Sequence, residues 1–154
     1  MKKYVLTETK KEWFGITLYQ IKAVRSFGNV KEGDLGGWIE KEENLDHEGD
    51  AWVSGNALVL GNAQVSGDAR IETKKHIFWA SFVGSENGTL TAYTIKSGEI
   101  EVTRGCFRGL LNEFEDAVNN RHGNNQYGEE YRALIQYIRL RFRGVKGSIQ
   151  GVNA

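Results

Sequence analysis

The sequence predicts an α+β fold: an N-terminal β-hairpin and a short hexapeptide-repeat β-solenoid, followed by a small antiparallel meander with two C-terminal helices. Three observations predict it. Four consecutive units of the pattern G-[DN]-A-x-[VI]-x run from Gly49 to Glu72, runs of strand composition lie on either side of them, and two amphipathic stretches follow. The expected domains are residues 1–75, with the hairpin and the solenoid, and residues 76–154, with the meander and the helices.

The hairpin is predicted from two runs of strand composition, residues 4–9 and 13–25. The second run mixes period-2 alternation with apolar residues on both faces. The charged residues between the runs, Lys10, Lys11 and Glu12, are expected to form the turn. Such a hairpin would cover the open end of the repeats, which otherwise exposes unpaired backbone groups.

The hexads predict short strands separated by tight turns. Each unit turns one β-branched side chain inward, and the preceding Gly-Asn or Gly-Asp pair accepts turn dihedrals at low cost. The same register continues backward in weaker form, so the solenoid is expected to cover residues from about 33 to 72, roughly two coils. The inward positions are Val53, Val59, Val65 and Ile71, and the small residues beside them are Ala51, Ala57, Ala63 and Ala69.

The second half of the chain predicts a meander and then two helices. Strands are expected at 77–83, 90–95 and 99–103, separated by glycine-containing turns. Apolar residues then recur at helical spacing in two stretches. The first stripe is Leu110, Phe114, Ala117 and Val118, and the second is Tyr127, Tyr131, Leu134, Ile135, Ile138 and Phe142.

Composition limits the partners that the chain is expected to have. The 20 basic and 20 acidic residues cancel, so no net charge attracts nucleic acid or an acidic membrane. No run of apolar residues is long enough to span a bilayer, and the single cysteine fits a reducing cytoplasm. Neither a metal nor a cofactor is expected. Charge is unevenly distributed, however, with a net −6 over residues 31–50 and +4 from residue 121 onward.

A candidate ligand site lies where the meander meets the first helix. Gly105 and Gly109 permit close backbone approach, and the arginines beside them could bind phosphate or carboxylate at a helix start. The loop between the helices supplies hydrogen-bond donors and a ring that could stack on a ligand. The predicted ligand-binding residues are Arg104, Arg108, His122, Asn124 and Tyr127. The alternative is a glycine-rich turn with solvated arginines.

No residue is predicted to be catalytic. Cys106 could be a thiolate nucleophile near a helix start, but beside Phe107 it is interpreted as a small core residue. His47 and His76 flank the hexads and could act as bases, but they are interpreted as surface residues. A hexapeptide-repeat acyltransferase is therefore the least favoured of the function classes.

The chain resembles small phage and prophage proteins that carry hexapeptide repeats. The N-terminal part of the resemblance lies in residues 18–23, 33–39 and 44–53 and the hexads, and the tail is similar to a C-terminal module often attached to such arrays. That module is indicated by Gly105-Cys106-Phe107, Glu113-Phe114, His122-Gly123-Asn124 and Glu130-Tyr131. Leu110 departs from the pattern, since relatives carry a capping Thr there. The resemblance implies a fold and a phage setting.

These features favour two function classes. The first is a non-enzymatic phage protein in the host cytoplasm that blocks or sequesters a host component, either a defence protein or a small anionic nucleotide signal. The second is a structural or assembly module of a phage. In both classes a homo-oligomer is expected, a dimer or trimer, because so few repeats cannot cover their own ends. The sequence leaves the choice open.

Overall fold

The computed structural model describes residues 1–145 and divides the chain into two compact units, Met1–Lys74 and Lys75–Ala154. The observed fold is α+β, with two helices and three separate sheets among the described residues. Lys146, one of the basic residues that give the net +4 from residue 121 onward, lies outside the described residues. Neither of the two helices has the length and apolar character needed to cross a bilayer.

The first unit is built on a four-stranded sheet. Strand β1 (Tyr4–Trp13) pairs antiparallel with β2 (Ile16–Ala23), and β2 pairs antiparallel with β3 (Leu35–Ile39). The hairpin turn lies at Phe14-Gly15, so the prediction of a turn at residues 10–12 is wrong. The reason is that β1 continues through the charged residues, with a register irregularity after Leu6, and a two-residue turn with φ of 50° and 82° closes it.

The hexads do not form a solenoid, so that part of the predicted fold is wrong. Their strands have two residues each and are divided between two sheets: β4 (Trp52–Val53), β5 (Leu58–Val59) and β6 (Arg70–Ile71). Strand β5 pairs parallel with β3, whereas β4 pairs parallel with β6 in a sheet of their own. The physical reason is strand pairing: the hairpin sheet takes β5 as its fourth strand, which leaves the β4–β6 pair and an isolated parallel bridge between Leu45 and Val65.

Burial within the hexads follows the sequence pattern closely. The four β-branched residues are at most 1% exposed, and the four alanines are at most 2% exposed. The prediction that these side chains point inward is therefore confirmed. What the pattern could not specify is the partner of each strand.

The second unit has a four-stranded antiparallel sheet in the order β10-β9-β8-β7. Three of its strands match the predicted meander, with bounds β7 (Ile77–Val83), β8 (Gly88–Thr94) and β9 (Ile100–Arg104). The fourth, β10 (Phe107–Leu110), was not predicted because Arg108 and Gly109 interrupt its apolar pattern.

Two helices, α1 (Leu111–His122) and α2 (Gln126–Phe142), complete the second unit. The backbone N–H of Leu110 donates to Glu113 Oε1 at 2.7 Å, so α1 begins sharply without a capping hydroxyl. The Asn125 side chain accepts from the Gly128 N–H and starts α2. Buried residues of both helices pack on one face of the sheet in a single apolar core, which includes Leu90, Val102, Phe114 and Ile138.

Candidate functional site

A pocket of about 460 Å³ opens in the second unit. Its size falls within the range of roughly 300 to 1,000 Å³ that is usual for small-molecule sites. Four elements of the chain contribute to it: the β7–β8 loop, the β9–β10 turn, one face of α1 and a residue of α2. The lining residues are Ser85, Glu86, Arg104, Gly105, Cys106, Phe107, Phe114, Ala117, Val118, Arg121, His122 and Tyr131.

Aromatic rings form one wall of this pocket. The Phe107 and Phe114 rings lie 5.2 Å apart, and the Phe114 and Tyr131 rings meet nearly at right angles at 5.5 Å. The His122 ring stacks on Tyr131 with a centroid distance of 5.8 Å. Edge-to-face and stacked pairs of this kind hold one another in place. The wall therefore offers rigid flat surfaces to a planar ligand.

Arg104 is the cation of the pocket whose position is fixed by hydrogen bonds. Its Nε donates to the Tyr131 hydroxyl at 2.8 Å and its Nη1 donates to Glu86 Oε1 at 2.9 Å, with only 15% of the side chain exposed. Burial lowers the pKa of Arg104, but the bonds to Glu86 and Tyr131 outweigh burial, so that the pKa lies above its ordinary value. Three of the five guanidinium N–H groups remain available to a ligand.

Glu86 is held beside the pocket by the loop that carries it. At Gly84 in this loop φ is +73°, and a Cβ atom there would collide with the Tyr131 hydroxyl, so only glycine fits. The hydrogen bond from Arg104 lowers the pKa of the Glu86 carboxyl. The carboxylate is therefore ionised and fixed next to the arginine at neutral pH.

The structure brings together two of the five predicted ligand-binding residues. Arg104 and His122 line the pocket, whereas Arg108, Asn124 and Tyr127 are exposed and do not line it. Neighbouring residues of a strand point to opposite faces, so Arg108 points away from the pocket wall to which Phe107 belongs. The Tyr127 ring lies 5.9 Å from His122, outside the lining.

Sequence reasoning missed Glu86, Arg121 and Tyr131. Tyr131 was assigned to the apolar stripe of the second helix, and its hydroxyl bond to Arg104 spans 27 positions of the chain. Glu86 lies in a turn 18 positions before Arg104. No local spacing in the sequence predicts contacts between residues so far apart in the chain. The only sequence signal was Gly84 at the start of the turn, which marks a close backbone approach.

The other chemistry-bearing residues have different surroundings from those expected. Cys106 is exposed at the pocket, not buried, because it lies in the β9–β10 turn after Gly105, whose φ is +59°. His47 is half-buried, stacks on Tyr4 at 4.2 Å and accepts the Lys3 backbone N–H. His76 is only 6% exposed. Neither histidine lines the pocket.

Comparison with known proteins adds no name to this site. No protein-family model matches the chain, and a search of curated proteins found no match. Among residues 1–145, no group of three or more His, Cys, Asp or Glu side chains is placed to hold a metal ion. What the pocket binds has to follow from its shape and its charge.

Proposed function

We propose that the protein is a non-enzymatic binding protein that sequesters a small anionic nucleotide in the pocket of its second unit. The single observation that carries this proposal is the combination of an aromatic wall with two arginines around one concave site. On the resemblance to phage hexapeptide-repeat proteins, the proposal places it in the cytoplasm of an infected host, where it withholds a nucleotide signal of host defence.

The two parts of a nucleotide suit the two parts of the pocket. A base has a flat apolar face, and stacking on aromatic side chains contributes about 1 to 3 kcal/mol per base. A phosphate is recognised best by arginine, whose planar donors match its oxygens. Arg104 keeps three free donors, and the exposed Arg121 makes no hydrogen bond or ion pair within the described part of the chain.

A concave pocket favours a small ligand over a host protein as the bound component. Protein partners bury about 800 Å² on each side of an interface, usually on broad and shallow surfaces. Small ligands instead occupy clefts lined by apolar side chains with a few convergent polar groups. The pocket between the β7–β8 loop and α1 has that second character.

The test is nucleotide binding by isothermal titration calorimetry with matched arginine variants. Arg104→Gln should weaken binding of adenosine 3′,5′-cyclic monophosphate by at least about tenfold, because a charge-assisted bond contributes roughly 1.5 to 3 kcal/mol. Arg108→Gln is the control, since Arg108 is exposed one strand position away from the pocket wall and should leave Kd unchanged. Equal losses in both variants, or no binding to the wild type, would refute the proposal.

A different observation favours the alternative, a phage assembly module that forms a dimer or trimer. Phe14 is 89% exposed at the hairpin tip with a positive φ, where Asn or Gly would fit the turn better. Trp13 packs against it at 5.0 Å and is 37% exposed. If this tip joins subunits, light scattering should show an oligomer for the wild type and a smaller species for Phe14→Asn. A monomer in both would exclude it.

A further inference from the structure

The charges that line the pocket are of both signs. Arg104 and Arg121 are its arginines and Glu86 is its acid, so these three side chains carry a net charge of +1. We propose that the pocket selects ligands with one negative charge, such as the phosphodiester of a cyclic nucleotide, over nucleotides with a terminal phosphate. This inference rests on the function proposed above and names the class of nucleotide.

Glu86 already occupies part of the guanidinium that a phosphate would use. Its Oε1 accepts from Arg104 Nη1 at 2.9 Å, while the Tyr131 hydroxyl accepts from Nε. A ligand therefore meets Arg104 at its remaining donors, with the carboxylate beside the same guanidinium. An incoming anion therefore interacts with an arginine whose positive charge is partly compensated by the Glu86 carboxylate.

The Glu86 carboxylate is positioned by its ion pair with Arg104, in which Oε1 and Nη1 lie 2.9 Å apart. Gly84 lies against the Tyr131 hydroxyl, with no room for a side chain between them. Arg121 adds a weaker electrostatic attraction to that of Arg104, and both favour the ionised form of Glu86. The structure therefore places a carboxylate beside the guanidinium that a ligand phosphate would meet.

Charge matching then separates the two kinds of phosphate. A phosphodiester carries one charge, which the net +1 of Arg104, Arg121 and Glu86 compensates. A terminal phosphate monoester carries about −1.5 to −2 at pH 7, so its second charge faces the Glu86 carboxylate without a cation to balance it. Because the Glu86 side chain is largely exposed, solvent screens this repulsion, and the expected selectivity is moderate.

The experiment compares adenosine 3′,5′-cyclic monophosphate with adenosine 5′-monophosphate, which share base and sugar and differ in phosphate charge. Titration calorimetry on the full chain at pH 7.5 and one ionic strength should give the cyclic nucleotide a Kd roughly tenfold lower. Glu86→Gln should reduce this preference to about twofold or less, mainly by strengthening the monophosphate. Glu129→Gln, an exposed acid of α2 outside the lining, is the matched control and should keep the wild-type ratio.

The possible results separate the inference from the function beneath it. Equal affinity for both nucleotides in the wild type, or an unchanged ratio in Glu86→Gln, overturns the charge selection and leaves nucleotide binding intact. If neither nucleotide binds to the wild type, the proposed function fails and the selection fails with it. Because the Glu86 side chain is 68% exposed, the variant should fold, and circular dichroism checks that it does.

Discussion

Polar side chains of the two units form different kinds of hydrogen bond. In the first unit, where the hexad strands have two residues each, buried polar groups complete the backbone hydrogen bonding. In the second unit the bond between Arg104 and Tyr131 joins two side chains and shapes a pocket. Beside the short hexad strands the fold requires side-chain donors for backbone carbonyls, whereas the bond between Arg104 and Tyr131 supports a site.

Three side chains of the first unit illustrate this requirement. The Asn44 amide donates to the Gly61 and Ala63 carbonyls at 3.1 and 3.0 Å. The Tyr4 hydroxyl donates to the Leu45 carbonyl at 2.6 Å. Lys3 is fully buried, and its ammonium donates to the carbonyl of Ala51 at 2.6 Å. Carbonyls that no strand partner reaches are thereby satisfied.

The largest expected effect is the loss of stability caused by a charge in the apolar interior of the first unit. Val59→Asp should destabilise the protein by about 4 kcal/mol or more, because the carboxylate would have no partner at a position that is 0% exposed. Thermal unfolding monitored by circular dichroism measures it. Asn62→Asp places the same carboxylate at an exposed position three residues later and should change Tm little. Equal melting of the two variants would contradict the inward register.

A smaller loss of stability is expected when a side chain that donates to backbone carbonyls is removed. Asn44→Ala should lower the free energy of unfolding by about 2 to 4 kcal/mol, because one buried and one partly buried carbonyl lose their donor. Tyr131→Phe in the second unit removes the acceptor of one charge-assisted bond, and it should cost less, about 1.5 kcal/mol, because water in the open pocket can replace the phenol oxygen. Urea unfolding compares them. A Tyr131→Phe loss as large as that of Asn44→Ala would erase the distinction between the units.

The third effect is a dependence of stability on alkaline pH that comes from the first unit. Burial lowers the pKa of Lys3 to about 8, although Asp46 acts in the opposite direction. Between pH 8 and the ordinary lysine pKa of 10.5 the unfolded chain therefore binds more protons, so stability should rise with pH. Burial raises the pKa of the Tyr4 hydroxyl above its ordinary value of 10.0, so stability that Tyr4 provides should be lost as pH rises beyond that value.

Two variants isolate these contributions in the same pH series. Lys3→Met should abolish the rise above pH 8, and Tyr4→Phe should weaken the decline above pH 10 that comes from the phenol. Urea unfolding from pH 7 to 10.5 provides the measurement. If the wild type and Lys3→Met keep a constant difference across the series, Lys3 does not titrate as its surroundings require.

Burial was predictable from this sequence where it depends on local period, and pairing was not. Val53 and its equivalents are identified by a six-residue repeat, and the helices by a period of 3.6. The assignment of Val59 to the hairpin sheet depends on competition between ladders, which no repeat encodes. The site divides in the same way: Arg104 and His122 flank recognisable turns, whereas Glu86 and Tyr131 join them through contacts that only the fold creates.

The bond between Lys3 and Ala51 also constrains how the chain acquires its structure during synthesis. Lys3 leaves the ribosome 48 residues before its acceptor is made, which at about 5 to 20 residues per second is a delay of roughly 2 to 10 s. During that interval the Lys3 ammonium lacks its Ala51 acceptor, although β1 can already pair with β2. The bond of Lys3 is therefore among the later contacts of its unit to form.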